Sequence, residues 1–203
     1  MDLFPHLLSL DENLLPKDGV VNYLGPVIER AAADHFFQRL RTGIDWQPDE
    51  AVIMGRHIAT RRHVAWYGDR PYAYTYSRVT KTALGWTEDL LALKAVVEEC
   101  SGEHFNSCLL NLYHDGSEGM AWHSDGERDL KRHGTIASVS LGAERRFAFK
   151  HKRGPERLSL NLAHGSLLLM KGETQSHWLH RLPPTKTVSE PRINLTFRTI
   201  DRA

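Results

Sequence analysis

The chain has 203 residues, 41% of them hydrophobic and 25% charged, with a net charge of +1. That composition excludes an intrinsically disordered chain, the length suits one globular domain (1–203) rather than two, and the near-neutral charge gives no global reason to expect a polyanionic partner. No apolar run approaches the roughly 18 residues of a membrane span, and the first ten residues lack a basic start and run into Asp11 and Glu12, which argues against a signal peptide. The expectation is a cytoplasmic protein with no membrane association, monomeric by default.

Helical periodicity comes first. Val27, Ile28, Ala31, Phe36, Phe37 and Leu40 keep roughly helical spacing over residues 26–41. Residues 51–76 are mixed: Trp66, Tyr67, Tyr72, Tyr74 and Tyr76 crowd around the turn-forming Gly68 and Asp69, which predicts short strands and loops. A second helix is predicted over 87–100. Thr87 can cap its free amides, Glu88 and Asp89 suit the positive end of the dipole, and Leu90, Leu93, Val97 and Cys100 form one stripe before Gly102 ends it.

Beyond residue 107 the periodicity changes to that of strands, predicted over 108–113, 135–141, 146–151, 158–162, 166–170, 176–182 and 192–199. Gly142, Gly154-Pro155, His164-Gly165 and Pro183-Pro184 punctuate them. The class is therefore α+β, mainly β: a sandwich, barrel or jelly roll with helices packed outside. Cys100 and Cys108 have neither metal-ligand spacing nor the pattern of a disulfide framework, and read as reduced thiols. Basic stretches occur at Arg56, Arg61, Arg62 and His63, at Arg128, Lys131, Arg132 and His133, and at Arg145, Arg146, Lys150, Lys152 and Arg153. Each alone reads equally well as a solvated face matched by nearby acids or as part of a basic face; only convergence around a pocket would change the weighting.

Chemistry enters with His123-Ser124-Asp125 and a later histidine, His177 or His180. Two imidazoles and a carboxylate form the facial triad that holds ferrous iron and leaves positions open for a chelating cosubstrate and oxygen. With twelve histidines in the chain, one HxD pair is weak evidence and needs a second signal. The run Arg192-Ile193-Asn194-Leu195-Thr196-Phe197-Arg198 supplies it, because strand alternation puts Arg192, Asn194, Thr196 and Arg198 on one face and the apolar residues on the other. Inward-facing arginines call for an anion, since a buried guanidinium without a partner costs several kcal/mol and carboxylates bind it through paired hydrogen bonds. Asn111 and Tyr113 share one face of the strand before the HxD and could bind the other side of the same small dicarboxylate.

Asn111-Leu112-Tyr113, His123-Ser124-Asp125, Trp178-Leu179-His180 and residues 191–198, in that order, closely resemble the signature of the AlkB family of dioxygenases. The similarity extends to residues 137–142 and 164–167, and so covers at least 105–199. It implies a double-stranded β-helix, or jelly roll, as a catalytic core over 105–199, with residues 1–85 as an N-terminal extension and nucleotide-recognition region. It further implies iron(II) on His123, Asp125 and His180, which selects His180 over His177. The cosubstrate would be 2-oxoglutarate on Arg192, Asn194 and Tyr113 at its far carboxylate and on Arg198 and Asn111 nearer the metal, with O2 as oxidant.

The activity implied is oxidative dealkylation of N-alkylated bases such as 1-methyladenine and 3-methylcytosine in single- or double-stranded DNA, or in RNA, releasing formaldehyde, succinate and CO2. A base inside a duplex must be extruded into an aromatic-lined pocket. The resemblance favours Tyr74 and Tyr76 there, Trp66 or Tyr67 as stacking partner and Met54 as an apolar wedge; Glu127, two residues past Asp125, could accept a hydrogen bond from an exocyclic amine. Gly126 departs from the family pattern, in which an acid follows the metal aspartate, and this puts base recognition in question. Three readings compete: a zinc hydrolase on the same ligands, a nucleic-acid-binding module without turnover, and a dioxygenase acting on RNA, protein or a small molecule.

Overall fold

The computed structural model describes residues 12–53, 56–76 and 79–201, those of 51–53, 56–59, 74–76 and 79–81 by backbone alone. The first half contains β1 (Val20–Pro26), α1 (Arg30–Gly43), β2 (Gln47–Ile53), β3 (Arg56–Gly68), β4 (Ala73–Tyr76), β5 (Val79–Thr82), β6 (Leu84–Gly85) and α2 (Glu88–Ser101). The second half contains β7 (Ser107–Tyr113), β8 (Met120–His123), β9 (Ile136–Gly142), β10 (Arg145–His151), β11 (Arg157–Leu162), β12 (Ser166–Lys171), α3 (Thr174–His177), β13 (Trp178–Leu182) and β14 (Arg192–Arg198). A large sheet runs β1-β12-β9-β14-β7-β3-β2, with β6 beside β3, and a smaller one runs β11-β10-β13-β8. Facing each other, they form the two halves of a jelly roll.

Alternation along the large sheet divides the molecule into two apolar layers. Ile193, Leu195 and Phe197 on β14, Cys108 and Leu110 on β7 and Val139 on β9 turn outward and bury Phe37 and Leu40 of α1 and Leu90, Leu93 and Val97 of α2. Between the sheets, Val21, Ile136, Leu168 and Met170 meet Phe149, Leu162 and Trp178 of the small sheet. Burial of such side chains is worth about 1.5–3 kcal/mol each. The inner face beyond this patch is polar: Asn111, Ser138, Ser140 and Arg192 are all buried there.

Several boundaries differ from the sequence-based expectation. The segment expected to open a helix at residue 26 ends β1 instead, where Gly25 takes a positive φ of 66° and Pro26 has no amide to extend the ladder. α1 starts only after Glu29, whose carboxylate accepts the Ala31 and Ala32 amides at 3.0 and 3.2 Å. α2 matches the expected capping, with Thr87 Oγ1 accepting the Leu90 amide and Gly102 left-handed at its end. The mixed stretch 51–76 holds the end of β2, one strand longer than expected, β3, and the short β4 after a loop that contains Tyr72. Over 176–182, α3 precedes a shorter strand. Strands β1, β2 and β3, all from the first 85 residues, belong to the same sheet as β7, β9, β12 and β14. Among the described residues no helix is long and apolar enough to cross a membrane.

Candidate metal and cosubstrate site

The edge strand β8 pairs with β13 so that His123 lies directly opposite His180. Their rings sit edge to face with centroids 4.2 Å apart, and Phe147 and Phe149 of β10 wall in His180 from behind. Asp125 lies two residues past the end of β8. Its amide donates to Gln175 Oε1 at 2.9 Å, which turns the carboxylate inward. Asp125 Oδ1 then lies 3.5 Å from His123 Nε2 and 3.7 Å from His180 Nε2, and one donor atom from each residue falls within 4.8 Å of the others.

Protonation suits metal binding. Burial pushes the His180 imidazole down to about 4, so it is neutral near pH 7 and offers a lone pair. Burial alone would raise the Asp125 carboxyl, but the Arg198 guanidinium and then the two histidines outweigh it and hold the group below the usual carboxylate range. His123 Nδ1 faces the Ala121 carbonyl at 2.9 Å; donating its proton there leaves Nε2 as acceptor. Two imidazoles and one carboxylate, converging from one side, fit the ligand set of iron(II).

Cross-strand pairing assembles the second half of the site. Arg192 on β14 lies opposite Tyr113 on β7, and Asn194 lies opposite Asn111. Arg192 is buried, 2% exposed, with its guanidinium 5.6 Å from the Tyr113 ring centroid and Nη2 donating to Ser140 Oγ at 2.9 Å. Burial pulls it down to about 10. Its Nε and the Asn111 Oδ1 are buried without a hydrogen-bond partner, and among the described residues no carboxylate pairs with Arg192. A buried cation with a spare donor is the cradle a small carboxylate fills. Asn194 donates to Ser138 Oγ and the Val139 carbonyl. Arg198 is engaged differently: it donates to Asp125 Oδ2 at 2.8 Å and to Glu127 Oε1 at 3.3 Å, at the metal end of the strand.

A cavity of about 530 Å³ lies beside the cluster, lined among others by Trp66, Arg62, Asn111, Met120, Glu127 and Arg198. Trp66 stacks on Tyr72 at 6.4 Å between centroids. Tyr67, the alternative stacking partner, points the opposite way because it is one residue along β3, and is buried against the helices. Met54 lies outside the described residues; Tyr74 and Tyr76 are on β4, with their side chains outside them. A second cavity, about 510 Å³, is lined by Asp125 together with Arg128, Lys131, Arg132 and His133, so the middle basic stretch converges on the site. The others do not. Arg62 is buried against Asp49 and Met120 Sδ. In the third stretch, Arg145 is buried, donating to the carbonyls of Asp115, Gly116, Glu118 and Pro183.

Sequence reasoning missed Gln175, for which no local pattern exists. It also missed Ser138 and Ser140, whose inward parity on β9 could have been read from the run 137–142.

Residues 20–198 match the model of the 2OG-Fe(II) oxygenase superfamily. The chain is similar to alpha-ketoglutarate-dependent dioxygenase alkB homolog 3 of Bos taurus, 40% identical over 183 residues that cover 85% of this chain and 63% of the relative. It is equally similar to the DNA oxidative demethylase ALKBH2 of Mus musculus, 40% identical over 205 residues covering 96% of this chain and 86% of the relative. It thus spans about three fifths of the alkB homolog 3 relatives it matches. Of solved structures, OsALKBH1 superposes with a TM-score of 0.62 at 15% identity, covering 91% of this chain and 98% of the other. An oxidoreductase of the 2OG-Fe(II) oxygenase family from Burkholderia pseudomallei gives 0.59 at 12% identity, with 92% and 89% covered. Identities this low carry the fold alone.

Proposed function

This chain belongs to the AlkB family of the 2OG-Fe(II) oxygenase superfamily, and from that premise we propose that it oxidatively dealkylates nucleobases such as 1-methyladenine and 3-methylcytosine in DNA. Formaldehyde, succinate and CO2 leave as products. The observation that carries the reading is a His123–Asp125–His180 donor cluster at the β8–β13 margin of the small sheet, together with Arg192, buried on β14 of the facing large sheet and paired with no carboxylate among the described residues. A zinc hydrolase would have no use for that arginine.

In this proposal His123, Asp125 and His180 hold iron(II), which when bound supplies oxygen activation coupled to decarboxylation of 2-oxoglutarate. Arg192, with Tyr113 and Asn194, receives the far carboxylate of the cosubstrate. Arg198 sets the orientation of the Asp125 carboxylate, and Asn111 presents its unpaired Oδ1 nearby. Trp66 offers a stacking face to an extruded base and Glu127 an acceptor at the cavity rim, while Arg128, Lys131 and Arg132 meet backbone phosphates. A monomer in the cytoplasm with access to DNA is part of the proposal, and the free thiols of Cys100 and Cys108 fit a reducing compartment.

The test incubates the protein with iron(II), ascorbate, 2-oxoglutarate and an oligonucleotide carrying 1-methyladenine or 3-methylcytosine, scored by mass spectrometry. Loss of the methyl group with intact protein, and not with His123→Ala or Arg192→Ala, is expected. Succinate without demethylation would retain the dioxygenase and reject the nucleobase substrate. RNA oligonucleotides with the same lesions test the alternative polymer.

A further inference from the structure

We infer that Asp18, His151 and His177 form a second divalent-cation site, separate from the His123–Asp125–His180 cluster and of a chemistry suited to zinc(II). The three come from the turn before β1, the end of β10 and the end of α3, and one ligand atom from each lies within 4.8 Å of the others. His177 was the rival of His180 for the iron cluster by spacing alone; the structure turns it toward this group instead.

His151 is the centre of the argument. Its side chain is 6% exposed, and Nε2 lies 3.2 Å from Asp18 Oδ2, yet that nitrogen makes no hydrogen bond. An ordinary ion pair would aim the ring proton at the oxygen; here the two atoms approach without that alignment, as donors around a shared cation do. On the ring's other side the Arg153 amide approaches Nδ1 at 3.3 Å and Glu156 Oε2 lies 3.9 Å away, itself buried and unbonded. Nδ1 accepts the Arg153 amide, so cation binding at Nε2, which puts the ring proton on Nδ1, exchanges that long hydrogen bond for one to the Glu156 carboxylate, the usual support for a metal-bound histidine. The His177 ring lies parallel to that of His151, with an interplanar angle of 3°.

Charge favours a cation. Asp18 and Glu156 flank His151, and Glu173 Oε2 lies 3.6 Å from His177 Nε2. Lys17 pairs with Glu156 at 2.6 Å and also lies in the field of Asp18, so one cation faces three carboxylates. Two imidazoles and a carboxylate are a common zinc set, with the exposed side near Asp18 leaving the fourth position to water. A bound ion would tie the segment before β1 to α3, and α3 carries the Gln175 that orients Asp125.

Equilibrium dialysis of the full chain against buffered free zinc(II), with metal counted by mass spectrometry, tests the proposal. Zinc also accepts the first ligand set, so two ions per chain are expected. Asp18→Asn, which tolerates the positive φ of 52° at that position, and His177→Gln should each bind one, with unchanged circular dichroism. Zinc should also raise the melting temperature of His123→Ala, in which only this site remains intact. One ion in the wild type that survives both Asp18→Asn and His177→Gln, or two ions in each of those variants, would overturn it and leave the trio an ion pair.

Discussion

Replacing Arg192 by methionine separates a binding residue from a structural one. Burial holds the guanidinium at about 10; at about 1.4 kcal/mol per pH unit, that depression corresponds to an uncompensated desolvation of about 3 kcal/mol. The substitution removes this penalty and also the Ser140 hydrogen bond and the contact with Tyr113, worth about 1 kcal/mol each. The ligand-free protein should therefore melt within about 1 kcal/mol of wild type, since apolar replacements of a buried charge are often neutral. Cosubstrate affinity should behave very differently. Losing a bidentate, charge-assisted carboxylate contact of about 3–4 kcal/mol weakens 2-oxoglutarate binding by two to three orders of magnitude. Anaerobic calorimetric titration of 2-oxoglutarate into the iron- or manganese-loaded protein, alongside urea denaturation of the metal-free form, measures both. A variant that binds 2-oxoglutarate within a few-fold of wild type but unfolds far more easily would refute the reasoning and make Arg192 a member of the sheet's own polar network.

Three other outcomes follow from the same structure. Gln175→Ala removes the acceptor for the Asp125 amide and should lower metal affinity by about 10–100-fold with little change in stability, as read by competition against a chelating dye. Arg145→Met removes a donor shared by four carbonyls, of which those of Asp115 and Gly116 keep a backbone amide, and should lower unfolding free energy by about 3 kcal/mol in urea melts, with lysine failing to restore the forked contact. Burial raises both thiols, but Cys108 is wholly enclosed while Cys100 is half-exposed; iodoacetamide should add one group, on Cys100, to the native protein and a second only after denaturation.

What could be read from the sequence depended on whether the information was periodic. The alternation in 192–198 placed Arg192 and Asn194 on the polar face before any fold was known, and Thr87 with Gly102 marked both ends of α2, because a capping hydroxyl and a left-handed glycine are local devices. β8 has four residues and a pairing to match, too short for periodicity to register, although it carries the first histidine of the candidate metal cluster. Gln175 acts across 50 residues, and no local rule can announce such a contact. Arg145 and Arg146 look alike in a basic run, yet strand parity buries one and exposes the other. Trp66 and Tyr67 divide for the same reason, and only knowing which face of β3 meets the helices separates them.

The position of β8 has a further consequence for how the protein must be handled. It is the outermost strand of the small sheet and pairs with β13 at two positions, one of them the His123–His180 pair itself. A metal bridging those two histidines would act as a cross-strand clasp, so that occupancy of the centre and integrity of the sheet margin become one equilibrium. Stripped by chelator, the margin is held by few hydrogen bonds, and an unclasped edge is open to strand addition from a neighbouring molecule. Shelf life, aggregation on storage and protease sensitivity around residues 114–125 would then report metal content as directly as turnover does.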